Sequence, residues 1–123
     1  MSFPNRKYHN KQIKNEYGKF DSMKEFKRYL VLAKLETVGE IKNLQRQVTY
    51  ELIPSTKLKE KRRNGTNTGW SYTESACRYK ADFVYEDANG NTIVEDVKGM
   101  RTKEYVIKRK LMLYRFGIQI REV

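Results

Sequence analysis

The sequence predicts a mixed α/β domain with a central sheet flanked by helices. Three observations carry this. Two segments show helical periodicity between good caps, residues 21–39 and 102–117. Residues 48–53 and 77–98 show strand alternation, with turn residues inside the second stretch. The elements run helix, strand, strand, strand, helix, strand (α-β-β-β-α-β) without internal repeat, and 123 residues fit one domain.

Residues 1–20 are polar and basic with no sustained period, and read as a loosely ordered arm ahead of a domain spanning 21–123. Ser22 caps the first helix, with Glu25 three residues on as the partner of a capping box. Met23, Phe26, Leu30 and Ala33 recur at helical spacing, and Gly39 suits the stop. Val48, Tyr50 and Leu52 then alternate with Thr49, Glu51 and Ile53 until Pro54 ends the strand. Residues from about 55 to 75 form a long basic loop, either a working loop or a disordered one. The hairpin follows, and then a second helix begun by Thr102 and stopped by Gly117. Its expected buried stripe is Val106, Ile107, Leu111, Leu113 and Tyr114, and residues 118–123 close the chain as a short strand.

Composition narrows the chemistry. A formal net charge of +11 points to a polyanionic partner, nucleic acid first and an anionic membrane second. No apolar run reaches the length of a membrane span and no signal-peptide core is present, so the expectation is a soluble intracellular protein. Cys77 is the only cysteine and His9 the only histidine. Internal disulfides, cysteine-rich zinc sites and histidine-based catalysis are therefore excluded. Any enzyme here must work with carboxylates and lysines.

The stretch Ile93 to Gly99 reads as a buried strand, yet it carries Glu95, Asp96 and Lys98. Which acid joins the lysine depends on the turn before it. A two-residue turn at Asn89 and Gly90 puts Asp82 on the face of Glu95. A three-residue loop of Ala88, Asn89 and Gly90 puts Asp82 opposite Asp96, with Lys98 on the same face. The second register is favoured, because it gathers Asp82, Asp96 and Lys98 into one cluster. Facing carboxylates repel, and neither stays ionised in a half-buried cleft without compensating charge. Lys98 supplies part of that charge. An oxygen-only ligand set suits Mg²⁺ or Mn²⁺ for the rest.

At these residues the sequence resembles the PD-(D/E)XK nuclease superfamily, with Asp82 as first acid, Asp96 and Lys98 as acid-x-lysine, and Glu25 as the helical glutamate. More closely, the runs YGKFDSMKE, YKADFVY and EDVKG resemble those of small basic endonuclease-like proteins of phages and prophages. Ala81 stands where that signature usually has proline.

The resemblance implies a restriction-endonuclease-like core and a Mg²⁺-dependent DNA endonuclease in a bacterial cytoplasm. Selectivity for branched DNA, in the manner of junction resolvases, belongs to the same expectation. It implies that Asp82, Asp96 and the Val97 backbone carbonyl hold the metal, that Glu25 reaches a second ion or a bound water, and that Lys98 orients the attacking water. Helix capping is the competing explanation of Glu25. For DNA contact the expected residues are Lys57, Lys59, Lys61, Arg62 and Arg63 in the basic loop, Trp70 as a stacking platform, and Arg101 and Lys103 ahead of the second helix. A homodimer would let one site per chain cut two strands. The rival class is a nucleic-acid-binding module that keeps the fold and lacks the chemistry.

Overall fold

The computed structural model describes residues 11–59, 71–98 and 100–123. Its elements are β1 (Ile13–Asn15), β2 (Gly18–Phe20), α1 (Met23–Thr37), β3 (Lys42–Ile53), β4 (Thr56–Lys59), β5 (Ser71–Glu74), β6 (Cys77–Glu86), β7 (Thr92–Asp96), α2 (Lys103–Phe116) and β8 (Arg121–Glu122). The fold is mixed α/β, as the sequence predicts. One four-stranded sheet runs in the order β3-β6-β7-β8, with β6 and β7 antiparallel and β7 and β8 parallel. Two compact units divide within β3 after Val48 and within β6 after Lys80. The first holds β1, β2, α1, β7, β8 and the adjoining parts of β3 and β6; the second holds β4, β5, α2 and the remainder.

In the first unit, α1 starts where Ser22 Oγ accepts the Glu25 N–H at 3.1 Å, and it ends before Gly39 at φ +84°. Its inward face is not the expected one. Met23 and Leu30 are exposed, whereas Glu25 and Leu32 are buried and Tyr29 and Leu35 pack against the core of Leu32, Ile41, Phe83 and Tyr85. Arg28 shares that inward stripe and reaches Glu95. Two charged residues on the buried stripe hid it from an apolar count.

The sequence reading extends a loose arm to residue 20, but residues 13–20 form a hairpin. Asn15 pairs with Gly18, Asn15 Oδ1 accepts the Tyr17 N–H at 2.8 Å, and Gly18 takes φ +121°. Its anchor is Phe20, fully buried against Phe26 and Tyr29 with the Arg46 guanidinium 3.7 Å above its ring.

The hairpin of β6 and β7 takes the three-residue loop. Phe83 pairs with Glu95 and Glu86 with Thr92, while the Asp87 N–H donates to Asn91 O at 2.9 Å. Gly90 takes φ +83° and donates to Asp87 O at 3.0 Å.

In the second unit, β4 and β5 are paired antiparallel from Thr56–Glu74 to Lys59–Ser71, so both ends of the expected long loop are strand. Thr102 Oγ1 accepts the Tyr105 N–H at 3.0 Å, and Gly117 closes α2 at φ +69°. Tyr105 and Met112 are its buried residues; Ile107, Leu113 and Tyr114 are exposed, contrary to the stripe expected from sequence. Tyr79 and Arg109 lie against the Tyr105 ring, so an aromatic residue and a cation define the inward face.

Glu95 is the buried charge on which the first unit closes. Arg28 donates to both its oxygens, Nε to Oε1 at 2.8 Å and a terminal nitrogen to Oε2 at 2.7 Å, and the Tyr85 hydroxyl donates to Oε2. Burial, then the bond to Glu95, pushes the Tyr85 hydroxyl up to about 12, so it stays a donor at any physiological pH. Glu95→Ala leaves Arg28 partly buried without its carboxylate and should cost about 3–5 kcal/mol in urea unfolding. Replacing both partners, Arg28→Met with Glu95→Leu, should recover most of that loss; equal losses in the single and double variants would contradict this account of the pair.

Candidate active site

Two strand residues and the segment after them build the site, all within the first unit. The observed register puts Asp82 of β6 across from Asp96 of β7, and the two carboxyl groups act on each other. The Val97 N–H donates to Asp82 Oδ2 at 2.8 Å. Asp96 is 3% exposed; its Oδ2 accepts no hydrogen bond among the described residues and stands 3.1 Å from Lys98 Nζ. Asp82, Asp96 and Lys98 therefore converge, and Glu95 points to the opposite face, where Arg28 and Tyr85 satisfy it.

Burial is the main cause that pushes Asp82 up to about 8; hydrogen bonding of protonated Asp82 to Asp96 and the charge of Asp96 add to this, and the Val97 N–H opposes it. At neutral pH Asp82 thus keeps a proton, which bridges the two acids. A divalent cation is the natural replacement for that proton.

Glu25 does more than cap. Its own N–H bonds Ser22, while its carboxylate accepts from Gln47 Nε2 at 3.0 Å and lies 3.7 Å from an Arg46 nitrogen. Burial first, then the charge of Asp21, raises its pKa above the usual glutamate value. Its charge also acts on Asp82. Among the described residues, no three acidic, histidine or cysteine side chains form a group that could hold a metal ion. The donor set nevertheless fits Mg²⁺, which commonly takes one or two carboxylates and fills its remaining positions with water and substrate phosphate. Asp82 and Asp96 supply the two carboxylates, and the buried Asp96 Oδ2 has no hydrogen-bonding partner among the described residues. At Val97, where the expectation concerns the carbonyl, it is the N–H that engages the site.

Sequence reading missed Gln47 and Arg46. Gln47 adopts φ +55° inside β3, a conformation rare for a side chain of its kind, and there its amide meets Glu25. Arg46 also donates to Lys19 O at 2.6 Å, which ties the first hairpin to the same carboxylate. No short-range pattern announces either role, because both partners lie more than twenty residues away.

The residues expected to contact DNA are differently placed. Lys57 and Lys59 belong to β4, and Arg101 and Lys103 sit at the start of α2, all in the second unit. Lys61, Arg62, Arg63 and Trp70 lie outside the described residues. No helix among the described residues is long and apolar enough to cross a membrane.

A family model described as "Protein of unknown function (DUF1064)" matches residues 5–122, so the chain belongs to that family. No curated protein and no solved structure matches the chain.

The raised pKa of Asp82 has a signed consequence for the metal-free protein. The unfolded chain releases this proton near the ordinary aspartate value and the folded chain only near 8. The contribution to stability is complete below the ordinary value and is lost as pH rises through the folded one. In EDTA the melting temperature should therefore fall as pH rises from about 4 to about 8. Asp82→Asn should flatten that slope. Parallel profiles for the two proteins would exclude a shared proton.

Proposed function

We propose that this member of the DUF1064 family is a metal-dependent endonuclease that hydrolyses phosphodiester bonds in DNA. The observation that carries the reading is the convergence of Asp82, Asp96 and Lys98, with Asp82 across from Asp96 in the hairpin and Lys98 Nζ 3.1 Å from Asp96 Oδ2. The resemblance to the PD-(D/E)XK superfamily and the net charge of +11 support it.

Asp82 and Asp96 would hold Mg²⁺ or Mn²⁺. When bound, such an ion supplies Lewis acidity at a phosphate and eases deprotonation of water. The Val97 N–H keeps the Asp82 carboxyl oriented toward its partner. Lys98, fixed beside Asp96, would direct its ammonium charge at the attacking water and at charge developing on the phosphate oxygens. Glu25, held by Gln47 and Arg46, adds negative potential at Asp82 and so favours exchange of the shared proton for a cation. Selectivity for branched DNA, a homodimer for two-strand cuts, and a bacterial cytoplasm in a phage or prophage context extend this reading on the resemblance alone.

A second reading has one observation in its favour. The Glu25 carboxylate is already satisfied by protein donors, as it would be in a nucleic-acid-binding module without chemistry. Incubation with supercoiled and branched DNA, with Mg²⁺ or with EDTA, separates the two. Nicking that needs the metal is expected of the enzyme; binding without nicking in any divalent ion would favour the module.

Lys98→Ala should lower the cleavage rate by roughly 10²–10³-fold, the usual cost of removing one preorganised charge donor. DNA affinity in EDTA should change little. Cleavage by the variant at the wild-type rate would remove Lys98 from the mechanism.

A further inference from the structure

A second feature of the first unit has no part in the proposed chemistry. Lys24, Lys27, Arg28 and Val31 of α1, together with Val97 and Val123, line a surface groove of about 230 Å³. The three valines give it an apolar floor; the three cations stand along its α1 side. Arg28 is committed to Glu95 through two hydrogen bonds. Lys24 uses one donor on the Lys98 carbonyl at 3.2 Å, which leaves two. Among the described residues no carboxylate pairs with Lys24 or Lys27.

Two further contacts join the groove to the carboxylate pair. Val97 forms part of the floor, and its N–H is the group that bonds Asp82. Val123 forms another part, and its N–H donates to Asp96 O at 3.0 Å. Both are backbone bonds; the Val97 side chain packs with Leu32, Phe83 and Tyr85, so the groove lies on the Glu95 and Arg28 side of the sheet. An apolar floor under uncompensated ammonium groups matches a sugar-phosphate backbone, whose C–H faces rest on aliphatic carbon while its phosphates reach the lysines. An acidic peptide would satisfy the lysines, but its polar backbone gains nothing from a valine floor.

We infer that this groove binds the backbone of one nucleic-acid strand. Affinity of the groove for a strand does not rest on the nuclease reading. The groove then fixes the path of the strand along α1.

The test is binding of the full chain to a short labelled oligodeoxythymidylate in EDTA, read by fluorescence anisotropy over a salt series. Lys24→Ala with Lys27→Ala should weaken binding and make the dependence of log affinity on log salt shallower by about 1.4, the loss of two phosphate contacts to a single strand. Lys34→Ala with Lys42→Ala removes the same charge from exposed positions outside the groove and should leave the slope unchanged. Val31→Asp, at a half-exposed floor position, should weaken binding without touching a lysine.

Equal effects of the two lysine pairs would overturn the inference, as would an unaltered slope in the groove variant. Polyglutamate binding as tightly, with the same dependence on Lys24 and Lys27, would also overturn it. Nicking of plasmid DNA in Mg²⁺ is measured separately. If the wild type nicks while groove variants bind normally, the groove inference falls alone. If groove variants lose binding and nothing nicks, the strand-binding groove stands and the nuclease reading falls.

Discussion

Asp87 closes the turn on which the arrangement of this molecule depends. Its N–H and carbonyl make the closing bonds to Asn91 and Gly90, and its Oδ1 accepts the N–H groups of Asn89 and Asn91, each at 2.9 Å. Those bonds, that to Asn91 first, hold the Asp87 carboxyl below its ordinary value, so the acceptor stays ionised through the neutral range. Because strand side chains alternate, a slip of one residue here would send every β7 side chain to the other face. Asp96 would leave Asp82, and Glu95 would leave Arg28. One local turn thus selects between two incompatible placements of two neighbouring acids.

Those acids, adjacent in sequence, meet opposite environments. Glu95 has a bidentate arginine and a tyrosine hydroxyl around it, with an Arg121 nitrogen 3.9 Å away. Its charge is neutralised within the protein, and that arrangement is structural. Among the described residues, Asp96 has another carboxyl beside it and Lys98 as its cationic partner, and one of its buried oxygens accepts no hydrogen bond. An acid so placed gains from an additional cation or proton, which Glu95 does not need. The contrast separates a charge that holds the fold together from one free for chemistry.

Helix α1 links both placements. Its inward stripe carries Glu25 toward Gln47 and Arg46, Arg28 toward Glu95, and Tyr29 and Leu32 toward the core. Its outer flank offers Lys24 and Lys27 beside the Val97 floor. A helix locked by Arg28 to the strand that bears Asp96 keeps groove and carboxylates in fixed relation. The left-handed backbone at Gln47 belongs to the same scheme. Its conformational cost, about 1–3 kcal/mol, is tolerated where the amide meets a buried carboxylate.

What the sequence determined by itself is local. Ser22, Thr102 and Gly117 act on groups three or four residues away, and the chemistry of Asp87 to Gly90 fixes a turn within five residues, so the helix caps and the register of the β6–β7 hairpin were legible. The convergence of Asp82, Asp96 and Lys98 followed from that register. Tertiary structure alone decided which helix faces turn inward, since Glu25 is buried and Arg28 half-buried by partners on other strands, and Tyr105 and Met112 displace a more apolar stripe. It alone turned residues 13–20 from an arm into a hairpin, because Phe20 is held by Phe26, Tyr29 and Arg46. The physical reason is one of range. Backbone hydrogen bonds in caps and turns are satisfied by near neighbours, whereas a buried charge or aromatic ring is stabilised by whatever the finished fold brings against it.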